Sequence, residues 1–127
     1  MSYNILIVDD SSLTRVAIKR IIDMVDVDAK DILEACNGVE ALDVLSKNDV
    51  DLVLADLNMP EMGGVELIQK MKESDNLAGI PVIVVSTESS TTRVKELVED
   101  GIKDFLHKPF TPEEFRVILA KNLAVSE

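Results

Sequence analysis

The stretch Ile5-Leu6-Ile7-Val8-Asp9-Asp10-Ser11-Ser12 decides the fold. Four apolar residues, mostly β-branched, stop abruptly at two acids and two hydroxyl residues. A short continuous apolar run suits a strand buried on both faces, and Asp-Asp-Ser-Ser supplies the side chains that cap a helix. Leu13, Val16, Ala17, Ile21, Met24 and Val25 then recur at helical spacing, which completes a first β-to-α unit.

The same alternation repeats to the end of the chain. A weaker strand over Asp31 to Ala35 precedes Asn37-Gly38 and a helix from about Val39 to Ser46, with Leu42 and Leu45 on its buried side. A third strand, Asp51 to Ala55, ends at Asp56. Met59-Pro60-Glu61-Met62-Gly63-Gly64 reads as a loop, because proline bars the preceding residue from helical geometry and the paired glycines permit left-handed turns. A helix bearing Val65, Ile68 and Met71 follows and ends before the polar segment from Glu73 to Gly79. The fourth strand begins after Pro81, and the hydroxyl-rich segment from Ser86 to Thr92 leads into a helix with Val94, Leu97 and Val98 that Gly101 terminates. A short fifth strand, Asp104 to His107, passes through Lys108-Pro109 to a capped helix start at Thr111-Pro112-Glu113-Glu114, and the last helix runs to roughly Ala124. Five β/α units with short connections predict a doubly wound, five-stranded parallel α/β sheet with five helices, in the flavodoxin-like strand order 2-1-3-4-5.

Composition bounds what such a domain does. At 127 residues and 46% hydrophobic content, one domain over 1–127 is expected, and no apolar run approaches the roughly 20 residues of a membrane span. The apolar segment at residues 5–8 is too short for a signal peptide, so a cytoplasmic location without membrane insertion is expected. A formal net charge of −11 argues against nucleic acid as a partner, since phosphate backbones are gripped by basic surface. Cys36, the one cysteine, reads as a small core residue, and His107, the one histidine, as a surface residue without companions for a metal site.

Asp9, Asp10, Asp56, Ser86 and Lys108 each follow a strand-like run, and carboxyl ends of adjacent parallel strands converge on a crevice that binds ligands. Three carboxylates meeting there repel one another unless a cation lies among them, and Mg2+, a hard ion that favours oxygen ligands, is the natural candidate. Lys108 adds a compact positive charge and Ser86 a hydroxyl donor, and both suit a phosphoryl group.

With these motifs placed, the chain resembles the receiver domains of two-component response regulators, and most of all the single-domain chemotaxis type. The resemblance is carried by Ile7-Val8-Asp9-Asp10-Ser11, by Asp56-Leu57-Asn58-Met59-Pro60-Glu61-Met62-Gly63-Gly64, by Val84-Val85-Ser86-Thr87-Glu88 and by Phe105-Leu106-His107-Lys108-Pro109-Phe110. It implies that Asp56 takes a phosphoryl group from a phosphohistidine on a sensor histidine kinase. It further implies that Asp10, Asp56 and the Asn58 carbonyl ligate magnesium, with Asp9 acting through a water, and that the Lys108-Pro109 bond is cis. Ser86 would bond the phosphoryl group and free space for the Phe105 ring to rotate, and an output protein would read the face formed by the fourth helix, fifth strand and fifth helix.

Two positions depart from the family pattern. Phe105 stands where chemotaxis regulators carry tyrosine, which keeps the ring and removes its hydroxyl. Thr87 stands where relatives often carry alanine or glycine, and its branched side chain narrows access to the phosphoryl site. The resemblance to chemotaxis-type receivers implies that Asn58 and Glu88, flanking that entrance, promote self-hydrolysis and give a signal lasting minutes rather than hours. Two other readings fit the same residues: a receiver module cut from a longer regulator with a separate output domain, and a magnesium-dependent phosphatase with an aspartyl nucleophile. The phosphatase reading fits less well, because such enzymes typically space their two aspartates one residue apart whereas Asp9 and Asp10 are adjacent.

Overall fold

The structure, a computed structural model, describes residues 3–25, 29–88 and 90–122. Its elements run β1 (Tyr3–Val8), α1 (Ser12–Met24), β2 (Ala29–Ala35), α2 (Gly38–Lys47), β3 (Leu52–Ala55), α3 (Gly64–Glu73), β4 (Val82–Ser86), α4 (Thr91–Glu99), β5 (Asp104–His107) and α5 (Pro112–Asn122). All strand pairs are parallel and the sheet order is β2-β1-β3-β4-β5. The expected topology is therefore the observed one. The expected end of the last helix near Ala124 lies outside the described residues.

The pleat sends alternate strand residues to opposite faces, and each face is apolar because helices cover both. Ile5, Ile7, Leu52, Leu54, Ile83 and Val85 pack with Ile18 and Ile22 of α1 and Phe115 and Leu119 of α5. Leu6, Val8, Val53, Ala55, Val82 and Val84 pack on the other side with Ala41 and Leu45 of α2, Leu67, Ile68 and Met71 of α3 and Leu97 of α4. The central strands are consequently sealed from water on both sides. The two edge strands differ from them: β2 carries Lys30, Asp31 and Glu34, all exposed, and β5 has four residues.

Among the described residues, four of the five helix starts are chemically marked. Ser11 Oγ accepts from the Thr14 N–H at 3.2 Å, Asn37 Oδ1 from Glu40 at 2.9 Å and Ser90 Oγ from Arg93 at 3.3 Å. At α5 the exchange is reciprocal, with Thr111 Oγ1 accepting from the Glu114 N–H and Glu114 Oε1 from the Thr111 N–H, which satisfies two otherwise orphaned donors. Gly101 ends α4 with φ 105°, in the left-handed region.

Several expectations are corrected. α1 buries Ile18, Ile21 and Ile22, whereas Leu13 and Met24 are 82% and 71% exposed, because the isoleucine stripe is the one that meets Ile5 and Ile7. Val98 likewise faces out, at 55% exposure, and Leu97 alone is buried on α4. β2 begins at Ala29, two residues before the expected start, and Ser86 closes β4 rather than following it. Cys36 is only partly buried, with Sγ 2.9 Å from Glu40 Oε2, so it is no core residue. That hydrogen bond to Glu40, with burial and the Glu40 charge behind it, holds the thiol above its ordinary pKa.

The loop after β3 is folded tightly against its neighbours. The Gly38 N–H donates to the Met62 carbonyl at 2.8 Å, and the Gly64 N–H donates to the Leu57 carbonyl at 2.9 Å. A Cβ on Gly64 would run into the Asp56 carbonyl oxygen, a backbone atom, whereas a Cβ on Gly79 would meet nothing within 4 Å. Gly64→Ala should therefore cost roughly 1–3 kcal/mol, as forced overpacking does. Gly79→Ala should be neutral or stabilise by up to about 1 kcal/mol through a less flexible unfolded chain. Urea unfolding of both variants checks the contrast, and equal midpoints would contradict it.

Candidate functional site

The register of the sheet builds the site. Val8 lies opposite both Ala35 and Ala55, so β1, β2 and β3 end level with one another. The next residues are tied across: the Asp9 N–H donates to the Ala35 carbonyl at 3.0 Å and the Asp56 N–H to the Val8 carbonyl at 2.9 Å. Asp9 and Asp56 are thus held side by side by main-chain bonds, and oxygens of Asp9, Asp10 and Asp56 all lie within 4.8 Å of one another. Among the described residues, no other three acidic, histidine or cysteine side chains gather in this way.

The cation arrives from the far edge of the sheet. The Lys108 N–H donates to the Ser86 carbonyl at 2.8 Å, which anchors the residue beyond β5, and the Lys108-Pro109 bond is cis, as expected. Lys108 Nζ then lies 2.8 Å from Asp9 Oδ2 and 3.3 Å from Asp56 Oδ2. Burial by itself depresses a lysine pKa. Here the hydrogen bond to Asp9 and the charges of Asp56 and Asp9 outweigh it, and Lys108 is held above its ordinary value.

Asp9 and Asp10 differ in how they are held. Asp9 is 2% exposed, its Oδ1 accepts from the Ser11 N–H at 2.9 Å and its Oδ2 is taken by Lys108. Asp10 is exposed. Three carboxylates against one ammonium leave two negative charges, a deficit that a divalent cation matches, and an all-oxygen donor set fits a hard ion such as magnesium.

The remaining expected residues surround this cluster unevenly. Ser86 is fully buried at the end of β4, and its Oγ accepts from the Glu88 N–H at 3.3 Å. Glu88 turns its carboxylate to the Ser90 N–H at 3.0 Å, at the start of α4. Asn58 is exposed in the loop two residues past Asp56. Phe105 is half-buried and packs on the core beneath α2, α3 and α4. Thr87 is exposed, and together with Leu13, Lys108, Pro109 and Phe110 it lines an apolar groove of about 530 Å³. One residue escaped sequence reasoning altogether: Arg15, whose Nη1 donates to the Asp9 carbonyl at 2.6 Å. Its signal was an arginine one turn into the helix that follows the acids.

Comparison with known proteins agrees with this geometry. Residues 5–120 match the family described as the response regulator receiver domain. A chemotaxis protein CheY homolog of Campylobacter jejuni is 42% identical over 110 residues, covering 86% of this chain and 83% of the relative. The two-component response regulator ORR5 of Oryza sativa is 40% identical over 114 residues, covering 87% and 81%. In structure, the chemotaxis response regulator CheY4 of Vibrio cholerae superimposes with a TM-score of 0.86 at 28% identity, covering 97% of this chain and all of that one. The chain belongs to the response regulator receiver domain family and is of the CheY type, a class of phosphorylation-dependent signalling switches. Nearly equal identity to a bacterial chemotaxis protein and a plant regulator ties the likeness to the receiver itself.

The raised pKa of Lys108 gives a test of the cluster by linkage. A lysine whose folded pKa is raised contributes stability that is complete below its unfolded value and is lost as pH climbs through the folded one. Lys108→Met should lower stability near neutrality by roughly 1–3 kcal/mol, the range for stranding buried polar partners. The gap to the parent should hold from about pH 7 to 9 and close above about pH 10.4. Denaturant midpoints measured across that range check this, and a gap that persists unchanged would contradict it.

Proposed function

We propose that Asp56 is the phosphoacceptor of a signalling switch. The observation that carries this reading is the Lys108 ammonium, brought from 52 and 99 residues away to lie against Asp56 and Asp9. A carboxylate oxygen of Asp56 attacks the phosphorus of a phosphohistidine on a sensor histidine kinase. The new P–O bond gives an acyl phosphate, the P–N bond breaks, and its electron pair returns to the imidazole. Lys108 offsets charge on the oxygens of the transferring group, where positioning and electrostatics supply most of the catalysis. Asp10, Asp56 and the main-chain carbonyl of Asn58 would hold magnesium, with Asp9 acting through a water. Bound there, the ion would neutralise the remaining negative charge of the cluster and of the incoming phosphoryl group.

The buried hydroxyl of Ser86 would serve the phosphoryl group, and Phe105 would respond by repacking, a two-state element that phosphorylation biases. The output surface on this reading is the face of α4, β5 and α5, which includes the exposed Val98 of α4 and Val117 of α5. Its reader would be a partner protein, as in chemotaxis. The chemistry of the chain would be confined to phosphotransfer and self-dephosphorylation, the latter tuned by Asn58, Thr87 and Glu88. Residues 1–127 would act as one receiver unit in the cytoplasm.

Incubation with labelled acetyl phosphate or a phosphorylated kinase tests the acceptor. Asp56→Asn should abolish labelling, and full labelling of that variant would sink the assignment. The two neighbouring acids are separable by magnesium titration. Because both Asp9 oxygens already accept protein hydrogen bonds, Asp10→Ala should lose magnesium affinity more completely than Asp9→Ala. Equal retention in both variants would contradict the proposed ligand set.

A further inference from the structure

Arg15, on α1, bonds the main chain of the acidic cluster and has no role in the function proposed above. Its side chain is 18% exposed and spans two elements: Nη1 donates to the Asp9 main-chain carbonyl at 2.6 Å, and Nε to Glu34 Oε1 on β2 at 2.9 Å. Lys19 Nζ takes the other oxygen of Glu34 at 3.2 Å. Burial tends to raise the Glu34 pKa, but the bonds and charges of Arg15 and Lys19 win, so this anchor stays ionised at neutral pH.

The carbonyl that Arg15 grips belongs to the peptide bond joining Asp9 to Asp10. That peptide is planar, so fixing its oxygen fixes the direction in which Asp10 leaves β1. Asp10 needs such a restraint. Asp9 is held by three protein bonds of its own, from its N–H and both carboxylate oxygens, whereas among the described residues no hydrogen bond or ion pair holds the exposed Asp10 side chain. Its place within 4.8 Å of Asp9 and Asp56 is therefore set by the backbone.

We infer that Arg15 is a positioning residue for the cation site: the strap from Glu34 through Arg15 to the Asp9 carbonyl holds the Asp10 carboxylate where it can ligate a divalent ion. The inference rests on the reading of Asp9, Asp10 and Asp56 as that site. It makes a prediction opposite in sign to simple electrostatics. Deleting a cation beside a divalent-ion site removes repulsion and should tighten binding, whereas deleting a positioning group should weaken it.

Manganese serves as a spectroscopically visible probe, its binding followed by electron paramagnetic resonance of the free ion in the full chain and in Arg15→Ala, Arg15→Lys, Lys19→Ala and Asp10→Ala. Arg15→Ala should weaken manganese binding about tenfold, within the range for groups that orient metal ligands, while Lys19→Ala, which also removes a cation and a Glu34 contact, should stay within about twofold. Arg15→Lys keeps the charge but loses the planar fork that reaches both partners, and should weaken binding as well. Thermal unfolding in a chelator accompanies each titration, and the Arg15 variants should still bind more weakly at temperatures where all chains are folded. Unchanged or tighter binding by Arg15→Ala, or an equal loss in Lys19→Ala, overturns the positioning role and leaves the metal site standing. No manganese binding at all, or binding that Asp10→Ala does not weaken, overturns the metal reading itself, and this inference falls with it.

Discussion

Asp9 and Asp56 stand side by side because β1 and β3 pair in register up to Val8 and Ala55, and carboxylates so placed repel one another in a largely buried setting. That repulsion is the cost around which the carboxyl end of the sheet is organised. The ammonium of Lys108 is inserted between the two acids, and the Ser11 N–H takes an oxygen of Asp9. Asp9 with Ser11, Asp56 and Lys108 come from three different segments, so the charges are balanced only when β1, β3 and the segment after β5 are all in place. Folding and the assembly of the site are in this sense one event.

The sheet can bear the strain of such a cluster because its middle is apolar on both faces. Helices α1 and α5 cover one side and α2, α3 and α4 the other, and the largest buried side chains, Phe115 and the leucines and isoleucines of the central strands, divide between the two cores. Polar chemistry is thereby pushed to the strand ends. The loop after β3 is tied to the start of α2 through Gly38 and Met62, so a change near Asp56 has a short covalent and hydrogen-bonded route to a helix on the far side of β1.

Much of this was legible in the sequence because the decisive signals are local. A continuous apolar run ending in acids marks a buried strand whose end carries chemistry, and five such runs in alternation with helical spacing leave few topologies. Asp9, Asp10, Asp56 and Lys108 meet as the strand-end argument expects, and the caps at Ser11 and Thr111 are where side-chain chemistry puts them. What was not legible depends on rotation and reach. Choosing between the Leu13, Val16, Met24 stripe and the Ile18, Ile21, Ile22 stripe of α1 needs the facing strand residues, since both stripes have helical spacing. The contact of Arg15 with the Asp9 carbonyl involves a main-chain oxygen, which has no residue identity to betray it. The turn of Glu88 toward Ser90 is likewise a choice among acceptable local bonds that spacing alone does not settle.

The edges of the sheet carry a consequence of a different kind. A parallel sheet with β-branched strands offers unpaired backbone groups along its outer strands, and these can template growth by other chains. Here β5 is four residues long and β2 displays Lys30, Asp31 and Glu34, so one edge is too short to zip and the other would bury charge on pairing. Resistance to amyloid-like association is thus built into the outermost strands, which leaves the helical faces as the surfaces through which this molecule can meet others without aggregating.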